Sequence, residues 1–198
     1  MLQRLILLTL VPATLLVGCM KPPMSMEPPQ KPSPAAEMKK LEPMVGIWTD
    51  TGEMVEPNPE EMKKMMSESE RAKFKSTFVG GGKAELAMGG IALRWEGWHD
   101  MGEGQKESFV EYWTWDPKLG KFHTLYVSDW GKTGTGLVTP CESCNGWCMK
   151  GAGIDELGRK SSYEGCMEML SKDSMDWTFT ERGPMGKVSL KGTSKRAK

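Results

Sequence analysis

From about residue 74 onward, short runs rich in β-branched and aromatic residues recur every ten residues or so, each bounded by Gly, Asp or Pro. Alternation with a period of two is the mark of a half-buried strand, and close, regular spacing of such runs points to a sandwich or barrel. The clearest case is 107–115, then Asp116-Pro117-Lys118-Leu119-Gly120, then 121–130. Phe109, Glu111, Trp113 and Trp115 fall on one face of the first run, and Val110, Tyr112 and Thr114 on the other. Asp and Pro opening a turn that Gly closes is hairpin chemistry. Further strands are expected at 45–55, 74–79, 84–88, 91–99, 134–139, 147–152, 161–170, 175–181 and 187–191. The expected fold is all-β, an antiparallel meander barrel of about eight to ten strands with one short helix.

That helix opens at Asn58, which can cap it, with Pro59 in its first turn and Glu60 and Glu61 facing the positive end of its dipole. Met62, Met65, Met66 and Ser69 then share a stripe. The pattern predicts about 14 helical residues lying over one barrel mouth or flank.

The chain begins differently. Arg4 is followed by an apolar run from Leu5 to Val17, too short to span a bilayer, which takes roughly 20 residues. A positive start and a short apolar stretch make a signal peptide, expected over 1–18. Its end, Leu16-Val17-Gly18-Cys19, resembles the lipobox of bacterial lipoproteins. The resemblance implies lipidation of Cys19, cleavage before it and acylation of the new amine. Such an anchor on a membrane is effectively permanent. Met20 in place of an aspartate after the cysteine favours an outer-membrane lipoprotein facing the periplasm, in a cell with two membranes.

Residues 19–42 are rich in Pro, Met, Lys and Ser and lack aromatics, so they read as a disordered, semi-extended linker. Residues 43–198 hold all 8 Trp and amount to one domain. With 26 basic and 26 acidic residues and no block of like charge, the chain has no electrostatic footprint for nucleic acid.

Gly46-Ile47-Trp48 resembles the Gly-x-Trp signature of lipocalin-like barrels. The stretch from Gly89 to Thr180, with Gly89-Gly90-Ile91, Trp95-Glu96-Gly97, Tyr112-Trp113-Thr114-Trp115-Asp116-Pro117, Trp130 and Gly134-Thr135-Gly136, is similar to the bacterial domain-of-unknown-function 1579 family. The resemblance implies a lipocalin-like barrel and no chemistry. The cysteines, the Met-rich spacer and Trp115 depart from that family's pattern.

Cys141, Cys144, Cys148 and Cys166 remain after Cys19. Outside the cytoplasm an even set favours two disulfides. The runs 147–152 and 161–170 flank a turn at Asp155-Glu156-Leu157-Gly158, which sets Cys148 opposite Cys166 and leaves Cys141 for Cys144. Two other readings stay open: tetrahedral Zn²⁺ binding by all four, and a redox pair at Cys141-Glu142-Ser143-Cys144. Haem attachment of the c type needs His after the second Cys, and position 145 is Asn.

Enzyme motifs are missing: there is no Gly-x-Ser-x-Gly, no His-Glu-x-x-His and no phosphate-binding loop, so a non-enzymatic role is expected. His99-Asp100-Met101 reads as an ordinary turn. His123, on a strand with Leu125 and Val127, is a candidate to face a barrel interior, where it would ligate a haem iron. Clustered methionines (Met20, Met24, Met26, Met62, Met65, Met66) are a weak offer to Cu(I), since Met is also a common core filler. No cofactor and no metal is assigned. The aromatic inventory points instead to a small apolar ligand, with Trp48, Trp95, Trp113, Trp115, Tyr126 and His123 as its candidate contacts. The competing reading is a filled barrel that serves as a structural or protein-interaction module of the envelope.

Overall fold

The computed structural model describes residues 33–198 apart from 74, 75, 103 and 185. The expected signal peptide, Cys19 and the first part of the linker lie outside the described residues. Among the described residues ten strands form a closed antiparallel barrel: β1 (Gly46–Glu56), β2 (Thr77–Ala87), β3 (Ala92–Asp100), β4 (Lys106–Asp116), β5 (Lys121–Ser128), β6 (Thr133–Pro140), β7 (Gly146–Ile154), β8 (Lys160–Ser171), β9 (Ser174–Gly183) and β10 (Gly186–Arg196). Each strand pairs with its neighbours in sequence, and β10 closes on β1 from Trp48↔Arg196 to Glu56↔Ser189. Closure removes the free edges that an open sheet would expose.

The turns form where their chemistry sits. The Asp116 carboxylate accepts hydrogen bonds from the backbone N–H groups of Lys118 (2.8 Å) and Leu119 (3.2 Å), and Gly120 takes a φ of 62° that other residues resist. Asp155 does the same for Leu157 and Arg159 at the turn joining β7 and β8.

Two expected strands, 74–79 and 84–88, are one strand, β2, running through Gly80-Gly81-Gly82. These glycines do not break the strand, because a side chain there has no room. A Cβ on Gly80 would stand 2.8 Å from the ring of His99, and one on Gly82 would stand 2.5 Å from the Glu96 carbonyl oxygen. The strand expected over 121–130 ends at Ser128, where the backbone turns through Gly131 to Lys132.

The expected single helix is two: α1 (Pro59–Met65) and α2 (Glu68–Lys73), separated at Met66-Ser67. Asn58 caps α1 as expected, its side-chain oxygen accepting from the Glu60 N–H at 2.9 Å.

The expected linker over 19–42 is corrected at its C-terminal end. Ala36–Met44 form a 3-10 helix whose Met38, Leu41 and Met44 are buried. Spacing by three matches the three residues per turn of this helix, so all three side chains fall on one face. That face packs with Ala84, Leu93, Trp113, Phe122 and Val138 and plugs one end of the barrel. Average composition hid three apolar residues at the right period. The Trp48 indole N–H donates to the Met44 carbonyl at 2.9 Å, and the Arg196 guanidinium lies over the Trp48 ring at 4.4 Å while donating to the carbonyls of Val45 and Pro43. The plug is therefore tied to both strands that close the barrel.

Candidate functional site

The register assigns the inward face of every strand. Across β3, β4 and β5 the opposed pairs Leu93↔Trp113, Trp95↔Glu111, Trp113↔Thr124 and Glu111↔Tyr126 all point inward. The face of β4 expected from its aromatic alternation is thus the inner one. Opposite stand Gly134, Gly136, Gly151 and Gly153 on β6 and β7, then Tyr163 on β8 and Phe179 on β9.

Beyond the plug the interior changes character. Inward-facing Phe109, Glu111, Tyr126, Tyr163, Trp177 and Phe179 are only partly buried although walls surround them, so solvent reaches this part of the lumen. Aromatic rings line it in pairs: Phe109 stacks with Tyr126 at 5.6 Å between centroids and Tyr163 with Phe179 at 6.0 Å.

Polar groups sit among these rings. The Tyr126 hydroxyl donates to Glu107 at 3.0 Å, and the Lys132 ammonium lies 3.4 Å from the same carboxylate. Asp50 and His99 approach each other over Gly80, which is paired with both. Burial pushes the Asp50 carboxyl up, against the pull of Ser194 and His99; burial also pushes the His99 imidazole down, so it is neutral at pH 7. Glu111 is pushed up to about 7 by burial, tempered by the polar groups of Trp113 and Thr124 nearby. It forms no ion pair among the described residues. Burial and the Glu107 charge together raise the Tyr126 phenol, so it stays a donor throughout the physiological range. Among the described residues, four buried oxygens have no hydrogen-bond partner: Asp50 Oδ1, Thr124 Oγ1, Ser128 Oγ and the Tyr163 hydroxyl. Buried polar atoms are almost always partnered, so four at inward-facing positions of one lumen call for a reason.

The sequence-predicted residues divide. Trp95, Trp115 and Tyr126 face the interior and are half-buried, with Trp115 edge-on to Phe122 at 5.0 Å. Trp48 and Trp113 face inward but are each 1% exposed, sealed in the plugged end. They shape the floor of the lumen. His123 is a correction: it lies on the outer face with Leu125 and Val127, its Nε2 3.2 Å from Asp116 and half its side chain in solvent. Nor is His99 in a turn. It belongs to β3, with its ring between Phe78 (5.5 Å) and Phe109 (5.1 Å). Both expected disulfides are present, Cys141–Cys144 and Cys148–Cys166, the latter across directly opposed residues with Cα atoms 4.0 Å apart. With Thr139 and Cys148 paired on the outward face, this bond staples the outside of the wall and leaves the lumen untouched.

Sequence reasoning passed over Asp50, His99, Glu107, Glu111, Thr124 and Tyr163. For Glu111 a signal existed: it is the one charge in the aromatic face Phe109, Trp113, Trp115.

Fold and interior together define a lipocalin-like closed barrel with an aromatic lumen that carries polar groups. No family model and no curated protein sequence matches this chain. Among solved structures it is similar to Rv2717c from M. tuberculosis, with a TM-score of 0.60 and 13% identity over 84% of this chain and 100% of that one. It is also similar to the S-type phycobiliprotein lyase CPES from Guillardia theta, with a TM-score of 0.51 and 13% identity over 83% of this chain and 94% of that one. At such identities the likeness is one of fold.

Proposed function

We propose that this chain is a non-enzymatic, membrane-anchored lipoprotein of the cell envelope that holds a small, mainly apolar molecule in its barrel. One observation carries the reading: Thr124, Tyr163 and Asp50 turn unpartnered buried oxygens into a lumen walled by Phe109, Tyr126, Phe179 and Trp95. A ligand with an apolar body and a hydrogen-bonding group satisfies both features. That a similar fold serves a phycobiliprotein lyase agrees with a barrel that handles a small molecule. The anchor is lipid on Cys19, and the address is the periplasmic side of the outer membrane.

Native mass spectrometry of the full chain, extracted from bacterial membranes in mild detergent, tests the cargo. A retained small-molecule mass is expected. An empty barrel after gentle extraction and addition of apolar extracts overturns the reading in favour of an interaction module, for which the exposed Leu125 and Val127 on the outer face of β5 offer a surface. Metabolic labelling with a fatty acid, abolished in Cys19→Ala, tests the anchor separately.

A further inference from the structure

The lumen carries an unbalanced charge. Of its inward-facing carboxylates near the rings, Glu107 is matched by Lys132 and by the Tyr126 hydroxyl, whereas Asp50, Glu111 and Glu181 have no cation among the described residues. His99 supplies none, because burial keeps its ring neutral. Glu111 is faced by Tyr126 from β5 and by Tyr163 from β8. Asp50, His99, Glu107 and Lys132 lie further along the wall, and Glu181 is paired with Tyr163 on β9. Beside Glu111, Thr124 is 3% exposed, and its hydroxyl, though close to both Glu111 and Tyr163, closes a hydrogen bond with neither.

We propose that the lumen selects a small amphipathic amine, its ammonium held against Glu111 with Thr124 and the Tyr163 hydroxyl as further acceptors, and its apolar body against the aromatic walls. The proposal rests on the lumen being a ligand site, as argued above. Three features converge on a cation. An ammonium has only donors, and the unpartnered hydroxyl oxygens can each accept from it. The faces of Tyr126, Tyr163 and Phe179 attract positive charge in a partly desolvated space. An anion would meet the uncompensated carboxylates instead. Binding an ammonium draws a proton off Glu111, so affinity depends on pH through this residue.

The test uses the full chain in detergent and three probes that share one apolar body: naphthylmethylamine, naphthylmethanol and naphthylacetate. Binding is read from quenching of tryptophan fluorescence. The amine is expected to bind roughly tenfold or more tighter than the carboxylate, gaining about tenfold between about pH 6 and pH 8 as Glu111 ionises. Glu111→Gln is expected to erase both the preference and the pH dependence while leaving binding of the alcohol intact, which shows that the variant is folded. Equal or tighter binding of the alcohol or carboxylate by the native protein overturns the amine and leaves the binding barrel standing. An amine preference that survives Glu111→Gln also overturns the proposal. Failure of all three probes to bind overturns the proposal together with the reading on which it rests.

Discussion

Tyr163 on β8 lies against Gly134 two strands away, so closely that a Cβ on Gly134 would stand 2.9 Å from the tyrosine ring, and its three nearest atoms would all belong to Tyr163. The small residue and the large one form one packing unit across the lumen wall. Gly134→Ala is expected to destabilise the protein by about 1–3 kcal/mol through overpacking. Because the clash is with a single side chain, Tyr163→Leu should relieve most of that penalty. A double-mutant cycle from chemical denaturation measures it, and additive effects would show that the two residues are not coupled.

The disulfides make a second prediction. Peptide mapping without reduction should join Cys148 to Cys166 and Cys141 to Cys144. The first bond spans 18 residues, for which its loss is expected to cost roughly 3 kcal/mol. In Cys148→Ser a single free thiol should appear at Cys166, with the Cys141–Cys144 link untouched. A bond between Cys166 and Cys141 in the native protein would contradict the hairpin register.

Leu41 tests the plug. It has no exposed surface and sits among Trp113, Phe122 and Val138, in a segment whose composition reads as linker. Leu41→Ala should cost about 2–5 kcal/mol, as for other fully buried leucines. A midpoint of denaturation equal to that of the native protein would return residues 36–44 to the linker.

These three sites show which parts of the fold are written locally. The β4 face was legible because Phe109, Trp113 and Trp115 alternate with less apolar neighbours, and the Cys148–Cys166 register followed from a turn with Asp155 and Gly158 at its ends. β5 misled for the same reason. Its inward set is Phe122, Thr124, Tyr126 and Ser128, while the outer face carries Leu125 and Val127, about half exposed. The apolar-in rule therefore put His123 on the wrong side. A barrel with a polar lumen inverts the usual alternation where it is most functional. The site itself joins Asp50, His99, Glu111, Thr124 and Tyr163 from five strands, and only closure of the sheet makes them neighbours. Gly80 looked like a break because its purpose, room for a ring on another strand, is not local.

Glu111 gives the prediction with the clearest sign. Burial raises its carboxyl from 4.5 to about 7, so between these values the folded protein holds a proton that the unfolded chain has released. Folding is then favoured by low pH: the benefit is full below about pH 4.5, falls as pH rises, and is gone above about pH 7. The largest possible difference is about 3 kcal/mol, and solvent within the lumen reduces it. His99 works in the opposite direction, since a buried neutral imidazole loses stability as pH drops through its unfolded value of 6.5. The native profile mixes the two, which is why the comparison must be with Glu111→Gln, where only the carboxyl is removed. Measured by denaturation at several pH values, the variant should match the native protein near pH 4 and exceed it in stability by about 1–3 kcal/mol at pH 8. Parallel profiles for the two proteins would mean that the Glu111 carboxyl ionises in the lumen as it does in water.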